Sequence, residues 1–225
     1  MAWGVNEWVA AVSAVIAVIS FVLNLRVVNR QTKLQFETLK VEMDSEVFAW
    51  SHEAMDVLSE GVALVRTAHL RPAEEFQRLA IEAEHKLSAI ADRGRLLFPN
   101  DHPHLTGREK EGAFQGIRPP VLDAIVFASC QMAQVAAQPR DQTYEPAADF
   151  LIKCRRLLVS EAQNAVDPRR RSTMLERLDD GRKDDKKSNF DVAYELGMAF
   201  DGRYPDLPVM KMWREAQDSV RGAKR

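Results

Sequence analysis

The apolar positions of the chain follow two regimes. From Trp8 to Leu25, WVAAVSAVIAVISFVLNL, 18 residues run without a charge between Glu7 and Arg26. At ~1.5 Å per residue a helix of this length covers about 27 Å, close to the ~30 Å hydrocarbon core of a bilayer. The stretch predicts one transmembrane helix. Small and polar residues recur along it at steps of four and three: Asn6, Ala10, Ser13, Ala17, Ser20 and Asn24. At ~100° per residue they share an arc of about 80°, and Val9, Val12, Val15, Ile16, Ile19, Val22 and Leu23 take the other faces. The same spacing continues through Val27, Gln31, Leu34, Thr38, Val41, Ser45 and Phe48, and no proline precedes Pro72. Residues 29–70 therefore read as a helical stalk that continues or bends at Asp44-Ser45, with Gly61 weakening its later part.

Beyond the stalk the pattern becomes amphipathic helices punctuated by proline. Pro72, followed by Glu74 and Glu75, opens a helix that ends at Pro99: proline suits the first turn and acids suit the positive end of the dipole. Phe76, Leu79, Ala83, Leu87, Ile90, Gly94 and Leu97 mark its inner face, and Gly94 there implies close backbone approach to a neighbour. Residues 99–118 form a loop with three glycines and two prolines, long enough to suggest a functional role. Pro119-Pro120 opens a helix to about 137 that is apolar nearly all round, the signature of a central buried helix. Another, about 146–166, buries Leu151, Cys154, Leu158, Ala162 and Ala165. A short helix is expected at 169–179, a charged loop at 179–188 and two weaker helical patterns in 189–225. The expected fold class is all-α: transmembrane helix 1–28, stalk 29–70, cytosolic helical bundle 71–187 and helical tail 188–225.

Charge sets the orientation. Arg26, Arg30, Lys33 and Lys40 follow the span with only Glu37 against them, so the C-terminal side is expected in the cytoplasm, with Trp3 and Trp8 at the outer interface. The first seven residues carry no Lys or Arg and no clean cleavage site follows the apolar run, which favours a retained anchor over a signal peptide. The whole chain, 225 residues at net charge −2 and pI about 6.2, shows no global bias toward nucleic acid. Cys130 and Cys154 lack metal or redox spacing and read as reduced core residues.

Three constellations carry candidate chemistry. Without a hydrophobic drive between helices in lipid, the small and polar stripe Asn6–Asn24 marks helix association, and in a homo-oligomer the same face can line a pore. The plain alternative is a packing seam. The loop and its flanks hold Arg93, Arg95, Asn100, His102, His104, Lys110 and Arg118. Guanidinium forks suit phosphate or carboxylate, but Arg93 and Arg95 can equally pin the loop by pairing with Glu109 and Glu111. Asp101, His102 and His104 lack a further ligand placed by spacing, so no metal is expected. The third is a basic series from 150 to 187, including Arg155, Arg156, Arg169, Arg170 and Arg171: 11 basic against 7 acidic residues, a local net of +4. It suits anionic lipid or an oligonucleotide, although no aromatics interleave with it as a stacking platform requires. Glycine-loop, nucleophile-elbow and zincin motifs are absent, so neither catalysis nor a cofactor is expected.

Gly94-Arg95-Leu96-Leu97-Phe98-Pro99-Asn100, then Lys110, Gly116-x-Arg118 and Leu122-Asp123, resemble a group of bacterial proteins. These have an N-terminal membrane helix, a helical cytoplasmic domain and a "GR-x-x-FPN … G-x-R-x-x-x-LD" pattern. Small membrane proteins of this organisation include antiphage-defence effectors such as the Hailong-type channel, gated by a short DNA oligomer. The resemblance implies a homo-oligomeric inner-membrane channel; the flanking charges already put its N-terminus outside. Its cytoplasmic domain would bind a nucleotide or short nucleic acid supplied by a neighbouring nucleotidyltransferase. The contrasting expectation is a membrane-anchored helical scaffold without a pore.

Overall fold

The computed structural model describes residues 5–104, 106–138, 144–166 and 189–223; the side chains of 5–19, 22, 36, 37, 40 and 220–223 lie outside that description. The described fold is all-α. Its helices are α1 (Val5–Arg66), α2 (Ala73–Leu97), α3 (Pro120–Ala137), α4 (Glu145–Val166), α5 (Asn189–Asp201) and α6 (Pro208–Ala223), with single 3₁₀ turns at Ala68–Leu70 and Gly112–Phe114. The described residues contain no strand, only an isolated antiparallel pair, Asp101 with Ile117. Prolines set the helix starts as the sequence suggests. Pro72 caps α2, and Pro119 and Pro120 occupy the cap and first turn of α3, where a missing N–H breaks no helical bond.

The chain divides into two units, 1–45 and 46–225. The first is helical from Val5 onward. Its described side chains other than Asp44 stand in the open, among them Phe21, Leu23, Leu25, Val27 and Val28. The stripe positions Ser20 and Asn24 are exposed too. Asn6, Ala10, Ser13 and Ala17 lie on helical backbone, but their side chains are outside the described set, as is most of the expected span.

The second unit is built on α3. Among the described residues it is the one helix long and apolar enough to cross a membrane, and 67% of it is buried inside the fold. Leu122, Ile125, Phe127 and Met132 are fully enclosed. Helices α2, α4 and α5 pack around it, and α6 packs on α5. Residues 46–66, expected as stalk, also enter this core: Val47, Trp50, Ala54, Leu58 and Val65 are buried while Phe48 on the next face is half exposed. The tail belongs to the same unit, because Phe200 and Met210 are fully buried. The helix expected at 169–179 and the charged loop after it lie outside the described residues.

Two glycines show how closely these helices approach. A Cβ on Gly94 of α2 would stand 2.6 Å from both Leu122 Cδ2 of α3 and Trp50 Cζ2 of α1. Trp50 is locked there by its indole N–H, which donates to the Ile90 carbonyl at 2.9 Å, and by Phe98, whose ring centroid is 5.3 Å away. A Cβ on Gly61 of α1 would meet only Met132 Sδ at 3.5 Å and Leu151 Cδ1 at 3.7 Å, ordinary contact. The two positions should therefore respond oppositely to the same substitution. Gly94→Ala should destabilise the fold by about 1–3 kcal/mol through overpacking. Gly61→Ala should stabilise it by ~0.5–1 kcal/mol through helix propensity. Chemical denaturation of the two variants checks both signs.

Candidate anion-binding cavity

The 98–119 segment is a closed loop rather than a loose connection. Asp101 and Ile117 exchange backbone hydrogen bonds at 2.8 and 2.6 Å, and Gly116 N–H donates to the Thr106 carbonyl at 2.9 Å. Gly116 takes φ +87°, and a Cβ there would collide with the Asp101 carbonyl, so only glycine fits. The Asn100 amide nitrogen donates to the carbonyls of Gln115, at 2.9 Å, and Ala113, at 3.4 Å. Gln115 in turn donates to the Lys110 carbonyl at 2.7 Å.

Between this loop and α6 lies a cavity of about 310 Å³ whose lining includes Arg95, Asn100, Lys110, Phe114, Arg118, Asp123 and Trp213. Two arginines reach its inner end, each about one-sixth exposed. Arg95 holds its guanidinium 4.5 Å from the centroid of the Phe114 ring, with Asp92 3.5 Å from its Nε. Burial, with repulsion from Arg118, pushes its pKa down. Arg118 Nε stands 2.8 Å from Asp123 Oδ1, a buried ion pair at the inner end of the cavity. Burial pushes the Asp123 carboxyl up to about 6 even though Arg118 and Arg95 pull it down. Because the folded state holds that proton more tightly than the unfolded chain, the resulting contribution favours folding at low pH and is lost as pH rises through about 6.

The far wall comes from α6. Trp213 is 5% exposed and lies against Gly197 of α5, where a side chain would collide with its indole. Tyr194 and Phe127 flank the ring at centroid distances of 5.6 and 6.3 Å. Lys110 bridges loop and helix, its Nζ 3.4 Å from Met212 Sδ. Exposed Glu109, Glu111 and Glu215 complete the rim, so the cavity is cationic within and acidic at its mouth. A second cavity of about 570 Å³ shares Ile117, Arg118, Asp123 and Gln217 with the first, and is lined also by Asp101, His102, Phe190 and Tyr194.

Of the candidate residues, the fold brings Arg95, Lys110 and Arg118 together. Arg93 points elsewhere and pairs with Glu53 of α1. The acids expected to pin the loop, Glu109 and Glu111, pair with neither arginine; Arg93 and Arg95 take Glu53 and Asp92 instead. Arg155 donates to Ser59 Oγ of α1 at 2.9 Å and Arg156 is exposed on α4; neither lines the cavity. Arg169, Arg170 and Arg171 lie outside the described residues. Asn100, Phe114, Asp123 and Trp213 complete the site. The first and third fall within the sequence pattern noted above, whereas Trp213 carries no local signal beyond being a large aromatic in a charged helix. Among the described residues no three His, Cys, Asp or Glu side chains group closely enough to hold a metal ion. Comparisons with protein-family models, curated proteins and solved structures return no match.

The electrostatics predict a pH-dependent anion site. As pH falls through about 6, Asp123 protonates and the cavity gains a unit of positive charge. Sulfate, which does not titrate in this range, should bind the full chain several-fold more tightly at pH 5.5 than at 7.5. In Asp123→Asn that difference should largely vanish, while Arg118→Ala should lower affinity at both pH values. Isothermal titration calorimetry reads all three.

Proposed function

We propose that this protein is a homo-oligomeric single-pass membrane effector whose cytosolic unit binds an anionic nucleotide or oligonucleotide and thereby controls an ion-conducting state. The observation that carries the reading is α1 itself. From Phe21 to Val41 its described apolar side chains, Leu34 and Leu39 among them, are left in the open. Apolar patches of this kind mark surfaces that lipid or another protein covers. The uncharged run of 8–25 supplies the span by length. Hydroxyls on the continuing helix satisfy themselves: Thr32 and Thr38 donate to the carbonyls four residues back, both at 3.0 Å.

The inner arginines of the cavity supply the ligand site. Ligand control requires only that the anion bind two arrangements of the protein with different affinity. The resemblance in the 94–123 pattern points to antiphage defence as the setting, with a nucleotidyltransferase as the ligand's source.

The test is the full chain purified in detergent and reconstituted in a planar bilayer. The expected outcome is an oligomer by light scattering and a conductance that a nucleotide ligand raises or lowers. Ser20→Leu and Asn24→Leu should change the conductance several-fold, as expected of residues facing a narrow pathway. A monomer would remove the pore. An oligomer with bound ligand and no conductance would leave the anchored scaffold.

A further inference from the structure

Helix α1 sorts the side chains of residues 25–44 onto four faces. At ~100° per residue, with Asn24 as zero, Gln31, Gln35, Thr38 and Glu42 fall within about 40° of it, and all four are exposed. The small and polar positions 6–24 occupy the same arc at that pitch. Val27, Leu34 and Val41 lie ~60–100° to one side, and Leu25, Leu39 and Met43 ~60–100° to the other; these six are 47–68% exposed. Arg26, Arg30, Lys33 and Asp44 take the back of the helix, about 120° or more away. Val28 is the apolar exception at the edge of the polar arc. Lipid does not reach most of the two apolar faces. Val41 lies ~24 Å beyond Leu25 along the helix, whereas the headgroup layer adds only roughly 5–8 Å to each side of the hydrocarbon. A two-stranded coiled coil would bury one of the faces and leave the other open. Two such faces, ~160° apart on one helix, call for two neighbours.

We propose that copies of this chain stand side by side along residues 25–43, the Val27, Leu34 and Val41 face of each against the Leu25, Leu39 and Met43 face of the next, so that Glu42 of every copy faces a shared axis and selects cations. This deepens the channel reading and rests on it: the pathway continues past the membrane, and its ion class is named. A contact between unlike faces closes into a ring rather than a pair. The two faces span the same levels of the helix, so copies held parallel by the membrane match without sliding. Thr32, at ~80° on the second face, donates its hydroxyl to the Val28 carbonyl at 3.0 Å, so that face carries no unpaired hydroxyl. The axial arc is polar but nearly uncharged. Among the described residues 20–45, Glu42 is its one ionisable side chain. One carboxylate from each copy makes a ring, and such rings gather cations and turn away anions. Arg26, Arg30 and Lys33 stay on the outside.

Cross-linking of the full chain in lipid vesicles tests the arrangement, with Cys130→Ser and Cys154→Ala removing the free thiols. Thermal unfolding confirms that this background is folded, and Cys154→Val serves if the alanine variant is not. Val41→Cys and Leu39→Cys in one chain should give a ladder of covalent dimers, trimers and higher species on mild oxidation. Either cysteine alone should give about tenfold less product, because like faces do not meet and thiols whose Cα atoms are more than ~7 Å apart are not joined. Single-cysteine variants that cross-link as well as the double one and stop at dimers overturn the proposal. The reversal potential of the reconstituted protein in a potassium chloride gradient tests Glu42. Potassium should be preferred over chloride several-fold, and Glu42→Gln should remove most of that preference. Asp44→Asn, on the back of the same helix, should leave it unchanged. No effect of Glu42→Gln, or an equal effect of the two substitutions, overturns the axial place of Glu42. A ladder from a protein that conducts nothing would sink the channel and leave the side-by-side arrangement standing. A ligand-sensitive conductance without a ladder would do the reverse.

Discussion

The second unit depends on the absence of a side chain at position 94. Three helices meet there, and the Trp50 ring and the Leu122 methyl both occupy space a Cβ would claim. This contact does more than fill the core. Arg95 follows Gly94, and Asp123 follows Leu122, so the two residues that touch at the junction hold the two that face the cavity. Interior packing is close enough that displacing one member moves the others. The cavity's charges are thus attached to the same joint as α1, through Trp50 and its bond to the Ile90 carbonyl.

That adjacency explains which parts of the molecule were legible in the sequence. Prolines 72, 99, 119 and 120 fix the ends of α2 and the start of α3 because a ring without an N–H is tolerated only at such places. Gly94 announced close approach because it interrupts an otherwise large apolar face. The central position of α3 followed from its being apolar all round. What failed was the pairing of Arg93 and Arg95. They are two residues apart on one helix, so their side chains leave about 200° apart: one meets Glu53 of α1 and the other turns into the cavity. Periodicity separates the faces of a helix but does not say what each face meets.

The limits of the bundle were harder still. Residues 46–66 carry a core face, Val47, Trp50, Ala54, Leu58 and Val65, that differs from the polar stripe by one position, and a 3–4 spacing followed along one face hides the other. The far wall of the cavity had no local signal. Trp213 becomes part of a site only because Gly197 lets its ring lie flat against α5, a relation between two weak helical patterns that neither reveals alone.

The order of these parts along the chain has a consequence for biosynthesis. Helix α2, the closed loop and α3 are consecutive, so their contacts close short stretches of chain and form early at small entropic cost. The arginines, Asn100 and Asp123 have all been synthesised before α4 begins. Trp213 comes ninety positions after Asp123. The aromatic wall is therefore the last part of the cavity to be synthesised, and the cavity is closed only once α6 has been made.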